Sequence, residues 1–224
     1  MGSVSLALVT LAFGLQVAGA DTFPGFGYRL LAVKDVDGDG LGDLLVVDEV
    51  GVSLADWASA RHQPRAWIVS PAAGGVVFDF GARDFSSHKL RCAALGDIDS
   101  DRCADLALVN LAAPASARVE MWSGRERAVT RTLTFDVTSE RAIANVGDLD
   151  GDGKAELAVG VCGADQPGRL SVGVVHIVRG SDGEVLRSIW GDAAGARFGE
   201  RVLALGDANG DGLAELAIES STGW

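Results

Sequence analysis

A nine-residue acidic motif occurs four times in this chain of 224 residues. Oxygen-bearing side chains stand at positions 1, 3, 5 and 9 of the motif, as in DLDGDGKAE at residues 148–156. Carboxylates gathered this closely repel one another, so a folded chain that brings them together usually places a cation between them. The other three copies are DVDGDGLGD at 35–43, DIDSDRCAD at 97–105 and DANGDGLAE at 207–215.

The four copies recur at a nearly regular period. Their first aspartates lie 62, 51 and 59 residues apart, a spacing typical of propellers and other repeat folds. A short apolar run precedes each motif and another follows it, and short runs bounded by Gly and Asp indicate strands. A second hairpin follows the first three copies, at 67–80, 119–135 and 175–190, with a small or polar turn in its centre.

This pattern predicts an all-β fold, a β-propeller of about three and a half four-stranded antiparallel blades. The acidic loops are predicted to join the first and second strands of each blade, in repeats at about 26–86, 87–138, 139–196 and 197–224. Thirty glycines suit short strands joined by tight turns. An arc of this kind leaves unpaired strand edges, so we expect self-association through its open ends. The alternatives are that the N-terminal apolar segment completes the last blade, or that the chain is a fragment of a larger propeller.

The motif predicts a calcium loop of a kind that lies within a β-hairpin. An EF-hand loop needs a bidentate acid at position 12 and helices on both sides, whereas position 12 is apolar in all four copies. A carboxylate at position 9 closes the loop instead, and a glycine at position 6 allows the sharp turn. The predicted ligands are Asp35, Asp37, Asp39 and Asp43; Asp97, Asp99, Asp101 and Asp105; Asp148, Asp150, Asp152 and Glu156; and Asp207, Asn209, Asp211 and Glu215.

The four loops are not equivalent in their ligands. The first and third loops carry every expected group, while Asn209 lowers the charge of the fourth by one. The second loop has Arg102 where the turn favours glycine, which adds a Cβ and a positive charge. We therefore predict up to four Ca²⁺ ions with the site at 97–105 weakest, or with Arg102 as an internal counter-ion. Asx-rich turns without metal are the alternative.

The formal charge of −12 comes mainly from these loops, which hold 15 of the 31 acidic residues. Four divalent cations would bring that charge to about −4, so the acidity indicates capacity for metal ions. Basic residues form no patch, and we predict no nucleic-acid partner.

The first 20 residues predict an export signal. An apolar run at 4–17 is followed by Ala18-Gly19-Ala20, a small-residue cleavage site ahead of Asp21. No Lys or Arg precedes the run, and a buried strand is the alternative interpretation. No other stretch approaches the roughly 20 apolar residues that a membrane-spanning helix needs. We therefore expect a secreted, extracellular or periplasmic protein without a membrane span.

The three cysteines are an odd number, so at most one internal disulfide can form. Cys92 and Cys103 flank part of the second loop, and an oxidising compartment would permit them to pair. Cys92 aligns with Leu30, Ile143 and Val202 of the other repeats, which favours its interpretation as a small core residue.

The acidic loop and its flanking strands resemble the FG-GAP, or VCBS-like, repeats of integrin α-subunit N-terminal propellers and of bacterial secreted proteins. Phe26-Gly27 and Phe198-Gly199 stand nine residues before a motif and match the Phe-Gly of the family name. The middle repeats have His88-Lys89 and Ser139-Glu140 there, and only Gly160 remains of the Gly-Ala-Pro element. The resemblance implies a structural calcium ion on the face opposite the main ligand surface.

The residues favour a binding module over an enzyme. His62, His88 and His176 lie in no metal or nucleophile motif, and Ser123 lacks the leading glycine of a nucleophile elbow. Of five tryptophans, Trp67 is predicted to pack within its blade, as is Trp122. We predict a non-catalytic, calcium-binding propeller module for protein or glycan binding and adhesion. The alternative is a carbohydrate-active accessory or hydrolytic unit.

Overall fold

A computed structural model describes residues 29–48, 65–82, 91–110, 117–135 and 141–221. These residues contain fourteen strands and no helix, and hence none long and apolar enough to cross a membrane. The predicted export signal and Phe26-Gly27 lie outside them. The strands are β1 (Arg29–Val33), β2 (Asp43–Asp48), β3 (Arg65–Ser70), β4 (Gly75–Ala82), β5 (Cys92–Gly96), β6 (Asp105–Asn110), β7 (Ala117–Ser123), β8 (Ala128–Phe135), β9 (Arg141–Gly147), β10 (Glu156–Val161), β11 (Val174–Val178), β12 (Val185–Trp190), β13 (Val202–Gly206) and β14 (Glu215–Ile218).

The strands form consecutive antiparallel meanders. Each of β1–β4, β5–β8 and β9–β12 is a four-stranded sheet in which every strand pairs with its neighbour in sequence, and β13 pairs with β14. The prediction of an all-β fold built from four-stranded propeller blades, with a final half blade, is confirmed for the described residues. The predicted repeat boundaries themselves fall partly in segments outside the description and stay predictions.

The second strand of the third blade is buried along its whole length. All six residues of β10 are buried, including Leu157 and Val159 at 0% exposure. The fourth strand of the same blade, β12, is largely exposed. A strand covered on both faces has no solvent side, which explains why ELAVGV is a continuous apolar run rather than an alternating one.

The chain divides into two compact units, residues 1–90 and 91–224. In the first unit, Val46, Trp67 and Val69 form a buried cluster. In the second unit, the β5–β8 sheet packs on the β9–β12 sheet through a larger apolar cluster, which includes Met121 and Val159. The predictions that Trp67 and Trp122 pack within their blades are confirmed, because they are 4% and 1% exposed.

A glycine pair joins the third blade to the last hairpin. A Cβ on Gly160 would lie 2.1 Å from the carbonyl oxygen of Gly199, and Gly199 itself has φ +87°. Neither position accommodates a side chain, since one would collide and the other would be strained. Phe198 packs beside this contact against the buried Val175 and Ile177. The Phe-Gly element and the surviving Gly160 therefore serve sheet-to-sheet packing.

Candidate metal centres

The four acidic loops lie where the sequence predicts them, between the first and second strands of each blade. Position 9 opens the second strand in every case, at Asp43, Asp105, Glu156 and Glu215. Its carboxylate accepts a hydrogen bond from the backbone N–H of position 2, as in Asp43 Oδ2 with Val36 N at 2.8 Å. This bond holds the acid at position 9, which closes the loop, against the start of the loop.

The aspartate at position 1 organises the turn. In the first loop, Asp35 Oδ1 accepts from Gly38 N at 2.7 Å and Oδ2 accepts from Gly40 N at 2.6 Å. Asp148 and Asp207 bind the matching N–H groups of the third and fourth loops. The chain wraps around this carboxylate because positions 4 and 6 are left-handed, with φ of +86° at Gly38 and +88° at Gly40.

The wrapped turns bring carboxylates together at short distance. In each loop, one ligand oxygen from each of three acids lies within 4.8 Å of the other two. Three predicted acids, Asp43, Asp105 and Asp152, are not part of these trios, which consist of acidic residues only and so do not test the amide of Asn209. The trios are Asp35, Asp37 and Asp39; Asp97, Asp99 and Asp101; Asp148, Asp150 and Glu156; and Asp207, Asp211 and Glu215.

Two closing carboxylates carry a buried oxygen with no hydrogen-bond partner. Asp43 is 2% exposed and its Oδ1 has none, while Glu156 is 0% exposed and its Oε1 has none. Burial raises the pKa of Asp43, opposed first by Val36 N and less by the nearby Ser70 hydroxyl, which makes its hydrogen bond to Asp39 rather than to Asp43 Oδ1. Burial also raises the pKa of Glu156, opposed by Leu149 N. Because a buried carboxylate oxygen without a partner is costly, these two atoms fit a bound cation.

The closing carboxylates of the other two loops have both oxygens engaged. Asp105 accepts from Ile98 N at 2.9 Å and from Gly124 N at 3.1 Å. Glu215 accepts from Ala208 N at 2.6 Å and from Asn209 Nδ2 at 2.9 Å. A cation in the second loop would meet a carboxylate that backbone donors already satisfy, and in the fourth loop it would first require the Asn209 amide to turn.

The second loop also contains the predicted strain. Arg102 has φ +74°, a conformation that favours glycine, and its backbone N–H donates to Asp97 Oδ2 at 2.9 Å. Within the described residues the Arg102 side chain makes no ion pair with the loop carboxylates. Arg125 instead donates from Nε to the backbone oxygen of Asp101 at 3.1 Å.

Asp105 predicts a pH dependence of stability. Burial raises its pKa from 3.8 to about 6, opposed by the N–H groups of Ile98 and Gly124, so the folded state holds this proton more tightly than the unfolded chain. The resulting stabilisation is fully present below pH 3.8 and is lost as pH rises through about 6. In chelator, we expect wild type to lose unfolding free energy relative to Asp105→Asn between these values. Urea unfolding of both proteins across this range checks it, and a constant difference would contradict it.

Side chains from the second hairpin turn reach the loops, and the sequence analysis missed them. Ser70 Oγ donates to Asp39 Oδ2 at 3.3 Å, and Ser123 Oγ donates to Asp101 Oδ2 at 3.2 Å. Both serines are buried, at 0% and 1% exposure. A serine ends the third strand in both of the first two blades, at Ser70 and Ser123, and this recurrence in the sequence could have indicated a shared contact. In the third blade, Ser181 makes the corresponding bond to Asp152, and Arg179 contacts Asp150.

The remaining candidate residues lie apart from the loops. His176 on β11 stacks on Phe135 at 5.3 Å between ring centroids, and its Nδ1 lies 2.8 Å from Ser188 Oγ. This matches a packed histidine on a sheet. His62, His88, Trp57 and Trp224 lie outside the described residues. The three cysteines all lie within them, and no disulfide joins any two.

Comparisons with known proteins agree with this architecture. Residues 141–178 match the FG-GAP repeat family. Integrin alpha-4 of Xenopus laevis is 27% identical over 173 aligned residues, which cover 68% of this chain and 16% of that protein. The crystal structure of rhamnogalacturonan lyase YesW shares the fold, with a TM-score of 0.54 and 14% identity over 87% of this chain and 40% of that chain. The resemblance predicted from the sequence is thus confirmed: the chain is similar to the FG-GAP repeat proteins of integrin α type, and residues 141–178 carry the repeat.

Proposed function

We propose that this chain is a calcium-stabilised β-propeller module that binds a protein or glycan outside the cytoplasm and catalyses no reaction. The observation that carries the metal assignment is the pair of buried, unpartnered carboxylate oxygens on Asp43 and Glu156. Each belongs to a loop whose other acids already lie close together. A cation is the partner that such an oxygen lacks.

Calcium fits these loops better than other common cations. It takes six to eight hard oxygen ligands in flexible geometry, and each loop offers carboxylates together with the backbone carbonyl of position 7. In the first loop, Asp35, Asp37, Asp39 and Asp43 would hold the ion, with Leu41 supplying the carbonyl. Bound calcium would supply positive charge to the cluster.

The arrangement supports a structural ion. The position 1 and position 9 carboxylates bind backbone N–H groups of their own loop, so the ion would clamp the hairpin that begins each blade. Ser70 ties the same loop to the second hairpin through Asp39. Calcium would therefore stiffen the end of the blade at which the loop joins the first and second strands. The first and third loops should bind most tightly, the fourth less tightly, and the second most weakly because Asp105 is already satisfied.

The binding role and the extracellular location rest on similarity and on the N-terminal sequence. The chain is similar to integrin alpha-4 over two thirds of its length, although it spans only 16% of that protein. The apolar segment at 4–17 with its Ala18-Gly19-Ala20 site favours export. Calcium loops with dissociation constants of roughly 10⁻⁴ to 10⁻³ M suit extracellular modules. The likeness to rhamnogalacturonan lyase shows the fold alone, so we do not extend that activity to this chain.

Calcium titration by calorimetry, after removal of ions with a chelator, tests the proposal. We expect at least two bound ions with dissociation constants of roughly 10⁻⁴ to 10⁻³ M. The double variant Asp43→Asn with Glu156→Gln should lose both while circular dichroism still reports a folded β-protein. A folded wild-type protein that binds no calcium at millimolar concentration would overturn the assignment. A screen against glycans and cell-surface proteins, with and without calcium, then identifies the ligand.

A further inference from the structure

An arginine occupies part of the third acidic loop. Arg179, the first residue after β11, places Nε 2.7 Å from Asp150 Oδ2. Its Nη1 lies 3.1 Å from Asp182 Oδ2 and 2.5 Å from Glu184 Oε2. Asp150 belongs to the acidic trio of this loop, so a fixed positive charge already neutralises one of the predicted calcium ligands.

The turn that carries this arginine is pressed against the loop. A Cβ on Gly180 would lie 2.1 Å from the carbonyl oxygen of Ala155, which allows only glycine there. Arg179 therefore starts from a backbone position held close to the acidic residues. At the corresponding position of the first two blades, a neutral hydroxyl contacts the loop carboxylate, from Ser70 and Ser123. Arg125 of the second blade contacts only the backbone oxygen of Asp101 there.

The arginine leaves one acid of the third loop, Glu156, with an oxygen that has no hydrogen-bond partner. Its Oε1 is buried and has no hydrogen-bond partner, although Arg179 lies in the same loop environment. The guanidinium satisfies Asp150 at the exposed side, while the buried side of the loop still lacks a positive partner. A calcium ion that reached Glu156 would also use Asp150, and its charge would be repelled by the guanidinium that already lies on Asp150 Oδ2.

We propose that Arg179 is a built-in competitor of calcium at the third loop, released onto Asp182 and Glu184 when the ion binds. This inference rests on the proposed calcium function. It makes the third loop weaker for calcium than the first, which has no such arginine contact among the described residues. Calcium binding would then also change the contacts of Arg179 in the turn between β11 and β12.

The variant Arg179→Gln tests this competition through two effects of opposite sign. Without calcium, loss of the guanidinium leaves the acidic trio unneutralised, so the melting temperature should fall. With calcium, the competitor is gone, so affinity at the third loop should rise about tenfold. The control is Arg187→Gln, which removes the same charge from an exposed position on β12 of the same blade.

Amide resonances of the position 6 glycines give each loop its own readout in a calcium titration by NMR. Gly153 reports the third loop, and Gly40 and Gly212 report the first and fourth. We expect Arg179→Gln to shift the Gly153 midpoint alone and Arg187→Gln to shift none. An unchanged Gly153 midpoint, or an equal shift from the control, would overturn the competitor while leaving calcium binding intact. If no glycine responds to calcium in wild type, the proposed function fails and the competitor fails with it.

Discussion

Calcium is expected to raise the melting temperature of this protein by roughly 6–20 °C over its value in chelator. At about 10 mM calcium, a site with a dissociation constant of roughly 10⁻⁴ to 10⁻³ M adds about 1.4–2.7 kcal/mol of stability, because the ion binds only the folded loop. The estimate counts two sites, those closed by Asp43 and Glu156. Differential scanning calorimetry with and without calcium measures the shift.

Two controls separate this effect from general ionic stabilisation. Magnesium at the same concentration should shift the transition much less, since it demands near-ideal octahedral geometry and keeps its water. In the double variant Asp43→Asn with Glu156→Gln, the melting temperature should change little between chelator and calcium. Equal melting temperatures in chelator and in calcium would refute the metal assignment for the first and third loops.

The second large effect is the loss of whole sites on single substitution. Asp37→Ala and Asp150→Ala should each reduce the number of bound calcium ions by one, whereas Asp99→Ala should leave it unchanged. Asp37 and Asp150 lie in loops whose closing acid has a buried oxygen without a partner. Asp99 lies in the loop where Asp105 already accepts two backbone N–H bonds. Calorimetric stoichiometry of the three variants decides between these outcomes.

A matched control for charge is Asp192→Ala, which removes an exposed aspartate that lies outside all four loops. It should keep the wild-type number of ions. Equal losses in Asp37→Ala, Asp150→Ala and Asp99→Ala would show that the second loop binds as well as the others. Equal loss in Asp192→Ala as well would point to diffuse charge rather than to defined sites.

The fold was predictable because its signals are local. The turn in each loop needs left-handed residues at positions 4 and 6, and glycines supply them at Gly38 and Gly40. The apolar runs on either side are too short for helices and are bounded by Gly and Asp, so they indicate strands. The strand that opens at Glu156 and the hairpin at 175–190 follow from such patterns alone.

The relative strength of the loops was only partly predictable. Arg102 in the tight turn of the second loop is a local feature, and its φ of +74° agrees with the strain expected there. The first and third loops have acids at the same four positions, and differences within the motif such as Lys154 for Leu41 and Glu156 for Asp43 do not reveal a cation that contacts a ligand. Arg179 separates them, and it stands 29 residues from Asp150.

The sequence by itself determined that acidic side chains gather in each loop, because the nine-residue motif folds around its own first aspartate through hydrogen bonds within the loop. The tertiary structure alone decided whether a closing carboxylate still lacks a partner. Gly124 N reaches Asp105 from the turn between β7 and β8, across 19 residues, while Asp43 Oδ1 receives no such donor. The reason is that burial and donor geometry arise from the pairing of strands distant in sequence, which no single motif encodes.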